Sequence, residues 1–161
     1  MNTAKKIMVD LSNQECLGGS LNGPSLIETL RSLSPEEAAS TDTYEGYSAW
    51  SVALHALYFK HMIGEALGKS LPSYDYEKTD WPAPPDAVTQ AAWDKVISDS
   101  EAIHKAFIDA ITAASDEQLE ATYKPWKMPL GKAVGWVISH DTNHNTQIRN
   151  MGLPSLRKPI N

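Results

Sequence analysis

Apolar positions along the chain recur at helical spacing in several separate segments, with almost none of the alternation that marks a strand. The first clear stripe follows Gly23-Pro24 and predicts a short amphipathic helix, with its apolar positions at Leu26, Ile27, Leu30 and Leu33. A longer apolar stretch, Tyr47 to Leu67, ends at Gly68 and predicts a long helix. Residues 1–22 contain Gly18-Gly19 and leave three structures open: an irregular segment, a separate preceding helix, or the beginning of the next one.

The second half of the chain predicts two further long helices. Asp86 is the expected N-cap of a helix that runs to Ala114. Its expected inward positions are Val88, Ala92, Val96, Ile103, Phe107 and Ile111. The last helix is expected at about 131–151, and Gly152 and Pro154 end it.

Short capped helices and polar or aromatic linkers connect these segments. Residues 34–37 (Ser-Pro-Glu-Glu) and 115–118 (Ser-Asp-Glu-Gln) both have the capping-box pattern. Residues 41–46, 69–85 and 123–129 have the composition of loops. Long helices joined in this way predict an all-α protein, a four-helix bundle that forms one domain over residues 1–161.

Composition excludes several classes of protein. Cys16 is the single cysteine of the 161 residues, so neither a disulfide framework nor a thiolate-rich zinc site is expected. The net charge of −6 argues against general nucleic-acid binding. No apolar run approaches membrane-spanning length, and Asp10 interrupts the only apolar run near the N-terminus. We therefore expect a soluble cytoplasmic protein without a signal peptide.

Charge is distributed unevenly along the chain. Residues 123–161 carry six basic side chains and one acidic one, whereas residues 1–122 carry eight basic and nineteen acidic side chains. A solvated basic tail that complements a helix C-terminus explains this pattern. A mild preference for an anionic substrate is the alternative.

Two histidines four residues apart stand out in the last predicted helix. His140 and His144 lie on one helix face, about 6 Å apart along its axis, so both imidazoles can reach one divalent ion. Their stripe is apolar at both ends and is expected to face inward; its members are Ala133, Trp136, Val137, His140, His144, Gln147 and Met151. Two buried imidazoles without partners are costly, so we expect a metal or a satisfied hydrogen-bond network.

His55 is the best candidate for a third ligand. It lies in line with Val52, Phe59 and Met62 on another long helix. A lone histidine on an apolar face is more often a core residue, but together with the pair it predicts a three-histidine site.

The remaining polar candidates receive no functional role. His61 points to another side of its helix, and His104 lies among charged neighbours. We expect Asp141 to be exposed and Cys16 to be a small buried apolar residue. No glutamate lies between His140 and His144, so the general base of a His-Glu-x-x-His protease is missing.

Two motifs together resemble the DinB/YfiT-like superfamily: Trp50-Ser51-Val52-x-x-His55, and His140-x-x-x-His144-x-x-Gln147-Ile148. The similarity covers about residues 26–153. It implies an up-up-down-down-type bundle, often dimeric, in which the three histidines hold one divalent metal ion. Thr146 departs from the glycine that the family frequently has before this glutamine. We expect Thr146 to narrow the helix packing without removing a ligand.

The resemblance also implies chemistry, because relatives include metal-dependent hydrolase-like proteins and enzymes that use low-molecular-weight thiols. We therefore expect a metal-dependent enzyme that holds Zn²⁺, Ni²⁺ or Fe²⁺, with water or an external thiol as nucleophile. In this hypothesis Trp136 and Phe59 line the cleft and Gln147 orients a small-molecule substrate. Tyr44 and Tyr47 are candidate proton donors.

Other hypotheses stay open. The protein is alternatively a non-catalytic metal-holding binding or stress-response module, or a metal-free bundle with histidines in its core. Trp81 and Trp126 indicate either a homodimer interface or covers for the ends of the core. Neither a nucleic acid nor a membrane is expected as a partner.

Overall fold

A computed structural model of the protein describes residues 2–157. This part of the chain contains seven α-helices: α1 (Thr3–Leu17), α2 (Leu26–Arg31), α3 (Pro35–Ala39), α4 (Ala49–Ala66), α5 (Gln90–Ala113), α6 (Asp116–Glu120) and α7 (Leu130–Arg149). Two short antiparallel strands, β1 (Thr122–Tyr123) and β2 (Met128–Pro129), pair between α6 and α7. Single 3₁₀ turns lie at Lys124–Trp126 and Pro154–Leu156. The expected all-α fold is confirmed.

The four long helices α1, α4, α5 and α7 form the bundle. Helix α4 packs between α5 and α7, and α1 closes the ring by packing on the same two helices. Contacts between residues give the helix directions. Helices α4 and α7 are antiparallel (His55–His144 and Phe59–Trp136), and so are α1 and α5 (Lys5–Ala114 and Asn13–His104). Helices α4 and α5 are parallel (Trp50–Trp93 and Lys60–His104). The helices therefore run up, down, down, up, and the implied up-up-down-down order is wrong.

The N-terminal segment explains this difference. The sequence left residues 1–22 open, and the structure places a separate helix, α1, at Thr3–Leu17. Asn2 caps it, and Gly18 ends it with a φ of 149°. Because α1 is the first helix of the bundle, the short helix α2 lies in the connection between α1 and α4 and is not a bundle member.

Capping boxes start the short helices. Ser34 and Ser115 begin α3 and α6 with the reciprocal bonds to Glu37 and Gln118 that the sequence predicts. Helix α2 has a third box, in which Ser25 and Glu28 bond to each other's backbone amides. These bonds satisfy amide groups that a helix end leaves free, so each short helix has a defined first turn.

Helix α5 begins later than predicted. Thr89 is its N-cap and accepts a hydrogen bond from the amide of Ala92, so the expected cap at Asp86 is wrong. Val88, predicted to point inward, is 38% exposed in the loop that precedes the cap. The long connection from α4 to α5 has a simple cause: parallel neighbouring helices need a crossover that returns along the whole bundle.

The core has two large apolar halves separated by a polar layer, and a smaller third cluster of Leu57, Tyr74 and Ile103. One half lies around Trp50 and Trp93, whose rings are 4.8 Å apart, and the other around Phe107 and Val134. The predicted core positions Val96, Ile103, Phe107 and Ile111 are buried. Each half buries large side chains against several helices, which is the main stabilisation of a bundle.

The polar layer is built around a buried ion pair. Lys60 of α4 and Asp141 of α7 lie 2.6 Å apart, with side chains 3% and 1% exposed. Asp141 was expected at the surface, and that expectation is wrong. Burial alone would lower the pKa of Lys60, but the nearby Asp141 carboxylate outweighs this effect and holds the pKa above its usual value. Lys60 is therefore charged at neutral pH, whereas burial raises the pKa of Asp141 and the Lys60 charge opposes that rise.

Other buried groups contact the same ammonium group. The Lys60 Nζ atom lies 3.4 Å from the sulfur of Cys16 and 3.3 Å from Nδ1 of His104. The other ring nitrogen of His104 lies 3.0 Å from the Asn13 side-chain oxygen. Burial, with help from the positive charge of Lys60, lowers the pKa of His104 to about 2. Cys16 is buried as expected.

In the part of the chain that the structure describes, no helix has the length and apolar character needed to cross a membrane.

We predict that Asp141→Asn lowers the free energy of unfolding by about 3–5 kcal/mol, because it leaves the Lys60 charge buried without its partner. Chemical denaturation at neutral pH measures this loss. Glu101→Gln is the matched control: it breaks the exposed 2.7 Å pair with Arg31, which should cost at most about 1 kcal/mol. Equal losses in the two variants would show that burial of the pair carries no extra stability.

His104 makes stability depend on pH. Its folded pKa is depressed, so it stays neutral in the fold but binds a proton in the unfolded chain below the ordinary value of 6.5. Its contribution is therefore complete above pH 6.5 and declines as the pH falls towards 2. Between pH 7.5 and 5.5, chelator-treated wild type should lose about 1.4 kcal/mol more unfolding free energy than His104→Gln. Parallel pH profiles for the two proteins would contradict this assignment.

Candidate metal centre

Three histidines from two helices meet at one side of the polar layer. His55 lies on α4, and His140 and His144 lie one turn apart on α7. The Nε2 atom of His140 is 3.1 Å from Nε2 of His55 and 3.0 Å from Nε2 of His144. All three side chains are buried, with residue exposures of 6–8%. The sequence-predicted trio is thus brought together, and among the described residues it is the group with metal-binding geometry.

The antiparallel packing of α4 and α7 produces this meeting. Along α7 the four-residue spacing stacks two imidazoles on one face. On α4, His55 lies on the same buried face as Val52, and this face packs towards α7. Lys60 and Asp141 join the same two helices beside the cluster. The ion pair therefore fixes how the two histidine-bearing helices face each other.

The hydrogen-bond partners of the outer ring nitrogens define the protonation of two histidines. Nδ1 of His55 contacts the backbone oxygen of Asp80, which can only accept a hydrogen bond. Nδ1 of His144 lies 2.7 Å from Oε1 of Gln147, whose amide nitrogen donates to the carboxylate of Glu45. Each Nδ1 is therefore the donor, and each neutral ring presents a bare Nε2 lone pair to the centre of the cluster.

All three imidazoles are neutral at pH 7. Burial is the main cause that lowers the pKa of His55 and His144. Burial also lowers the pKa of His140, to about 3, and positive charge on His144 or His55 would lower it further. Neutral imidazole is the form that ligates metals. The electrostatics of the site therefore favour a cation that comes from outside the chain.

The donor set fits a divalent ion. His140 could donate an Nε2 proton to only one of its two neighbours, and the Nε2 lone pair of the other neighbour would then have no donor. Its Nδ1 atom is buried without a hydrogen-bond partner among residues 2–157. An ion with bonds of about 2.0–2.1 Å to imidazole nitrogen accommodates ligand atoms about 3 Å apart. One shared cation would satisfy the three lone pairs at once.

Aromatic side chains surround the cluster. Phe59 packs edge-on against His55 and His140, with ring centroids 4.9 and 5.3 Å away. Trp136 lies 4.3 Å from the ring of His140 and is 40% exposed. Both predicted cleft residues thus border the histidines. Trp136 was expected to face inward, but it lies at the partly exposed rim.

Two further aromatic side chains, Trp81 and Tyr47, form an aromatic wall beside the histidines that the sequence did not predict. Trp81, from the connection between α4 and α5, stacks on His55 at 4.0 Å, and Tyr47 stacks on the far side of Trp81 at 5.3 Å. A sequence signal existed: Trp81 follows Asp80 in a proline-rich loop too long to be a simple turn. The sequence could not show over which helix face this loop folds.

Gln147 contacts a histidine. Its amide group has His144 at one end and Glu45 at the other, so it orients an imidazole in this structure. The substrate-orienting role predicted for it stays a prediction. The adjacent Thr146 is exposed and bonds to the backbone oxygen of Thr142, so the expectation that it narrows the helix packing is wrong.

His61 and Tyr44 lie away from the cluster. His61 contacts the backbone oxygen of Pro72 with one ring nitrogen and lies 3.6 Å from the Glu65 carboxylate with the other, so it points away from the cluster as its helix position predicts. Tyr44 packs against Gly152, whose φ of 83° and close contact leave no room for a side chain. Tyr47 is the tyrosine in the aromatic wall, through Trp81.

Acidic side chains lie at the rim of the site. Glu45 and Asp80 are exposed, and the negative charges of Glu45 and Asp80 act on the pKa of His144 and His55 respectively. Arg149, from the basic quarter of the chain, instead donates to the backbone oxygen of Asn22. This arrangement does not favour the anionic substrate that the charge distribution suggested.

Comparison with known proteins gives a family. No curated protein and no solved structure matches the chain. The family model described as the DinB superfamily matches residues 24–148. The match covers most of the chain and includes the three histidines and Gln147, in agreement with the resemblance of the two motifs. The chain therefore belongs to the DinB superfamily.

Proposed function

We propose that this protein is a metal-dependent enzyme in which His55, His140 and His144 hold one divalent ion, Zn²⁺, Ni²⁺ or Fe²⁺. The observation that carries the proposal is the convergence of three neutral imidazoles whose Nε2 atoms lie about one ligand spacing apart. Three protein ligands leave coordination positions open, which is typical of catalytic metal sites and not of structural ones.

A metal held in this way lowers the pKa of a water or thiol and polarises an electrophile. The chain's own groups prepare the site for that chemistry. Asp80 and Gln147 hold two imidazoles in the required tautomer through their Nδ1 hydrogens. Phe59, Trp81 and Trp136 exclude water from the histidines. Tyr47, the candidate proton donor, stacks on Trp81 in the aromatic wall.

The proposed reaction is hydrolysis of a small molecule or transfer to a low-molecular-weight thiol. A thiol nucleophile would have to be a cosubstrate, because Cys16 is fully buried and burial raises the pKa of its thiol to about 11. Such a thiol stays protonated at neutral pH and has no path to a substrate.

A non-catalytic metal-holding module is the second candidate. The observation that favours it is the depth of the cluster: the three histidines are 6–8% exposed under aromatic side chains. A site of this kind suits retention of an ion as well as turnover.

The homodimer expected from the family is part of the proposal. Trp81 and Trp126 pack on aromatic side chains of their own chain, so they no longer argue for it. Ile7 and Leu11 lie one turn apart on α1 and are 53% and 46% exposed. They are the apolar surface that a second copy would cover.

We predict that protein purified without an affinity tag binds one divalent ion per chain, and that His140→Ala weakens binding by a hundredfold or more because it removes one of three ligands. Elemental analysis and titration with Co²⁺ or Zn²⁺ measure this. His61→Ala is the matched control, since His61 lies on α4 but outside the cluster, and its affinity should equal that of wild type. Unchanged affinity in His140→Ala would remove the ligand assignment.

A screen for turnover separates the two candidate functions. Metal-loaded protein should act on members of a panel of esters, amides and alkylating electrophiles, with and without small thiols, and chelation should abolish that activity. Metal-dependent turnover supports the enzyme, since the open coordination positions are then used. Tight metal binding without turnover across the panel would favour the binding module.

A further inference from the structure

We propose that the substrate of this site carries a flat apolar group, uncharged or cationic, that lies against the indole of Trp136 and the exposed edge of Trp81 while its polar end reaches the histidines. This inference rests on the proposed function and specifies its substrate class. We call the set Tyr47, Phe59, Trp81 and Trp136 the aromatic rim.

The aromatic rim borders the cluster on two sides. Trp81 lies parallel to the ring of His55, with an interplanar angle of 10°, and 6.0 Å from His144. Trp136 lies against His140 on α7, and Phe59 contacts both His55 and Trp136. A ligand that reaches the three Nε2 atoms must therefore pass ring faces or edges.

The rim exposes apolar surface that a chain normally buries. Trp81, Trp136 and Tyr47 are 44%, 40% and 50% exposed around histidines that are 6–8% exposed. Exposed indoles beside a recessed group of polar atoms are typical of small-molecule sites. Indole faces attract other π systems in stacked or edge-on geometry.

Charge narrows the class further. Two exposed acidic residues lie beside the histidines: Glu45 accepts a hydrogen bond from Gln147, the partner of His144, and Asp80 contacts His55 through its backbone oxygen. They disfavour an anion at the rim, whereas indole faces beside carboxylates attract cations. The aromatic rim therefore complements a planar group that is neutral or positively charged.

A small ligand fits this surface better than a second protein chain. The three histidines are 6–8% exposed, whereas Trp81 and Trp136 are 44% and 40% exposed. A flat protein surface would cover the indoles without reaching the histidines. We therefore assign the rim to a substrate and leave α1 as the surface for a second copy.

The test uses two thiols of similar size, phenylmethanethiol and cyclohexylmethanethiol, as probes of Co²⁺-loaded protein. Because the aromatic thiol is the more acidic of the two, each affinity is expressed per concentration of thiolate. Binding of each is followed by the change in the visible spectrum of the Co²⁺ ion. Wild type should bind the aromatic thiol about 3- to 10-fold more tightly than the alicyclic one, the range expected for one or two aromatic contacts. Trp81→Ala and Trp136→Leu should each reduce this ratio at least twofold, and Trp81→Phe should retain most of it.

Val88→Ala is the matched control, because Val88 is exposed in the same loop but outside the rim, and its ratio should equal that of wild type. An unchanged ratio in both tryptophan variants would overturn the substrate class while leaving the metal site intact. The class is also overturned if Trp81→Ala converts a dimer to monomers in sedimentation, since the rim is then an interface. Failure of wild type to bind Co²⁺ would instead refute the proposed function, and this inference with it.

Discussion

The structure depends on how α4 and α7 face each other across the polar layer. Lys60 and Asp141 form a buried ion pair between these helices, and a buried charge without its partner is costly. This cost penalises any rotation or slip of either helix. The same relative orientation of α4 and α7 brings the imidazole of His55 to those of His140 and His144. The buried ion pair thus also positions the three neutral imidazoles.

Neutrality is what gives the cluster its chemistry. Burial keeps the three imidazoles unprotonated, and acceptors on the outer nitrogens of two of them direct Nε2 lone pairs to a common point. The Lys60 charge nearby also opposes protonation of His140. The site therefore has no positive charge of its own at the point where the three Nε2 lone pairs meet. A divalent ion complements that arrangement, and the aromatic rim limits what else can enter.

Much of this architecture follows from local sequence. Capping boxes at Ser34 and Ser115 and helical apolar spacing gave the helical fold, and the spacing of His140 and His144 identified the facing pair. Properties that depend on tertiary packing were not accessible. The burial of Asp141 requires knowing that Lys60 lies opposite, although a lone lysine in an apolar helix is a signal for a buried partner. The helix order required recognising α1, whose large apolar residues Ile7, Leu11 and Leu17 are exposed and so do not mark an inner face. The position of Trp81 depends on the path of a long loop.

The most direct test of the account is an anomalous-difference map from crystals of the protein grown with Co²⁺ or Zn²⁺, recorded on both sides of the metal absorption edge. The account predicts one strong peak per chain, about 2.0–2.1 Å from the Nε2 atoms of His55, His140 and His144. A map with no peak at this point, or a peak bound to other side chains while the three rings keep their contacts, would contradict it.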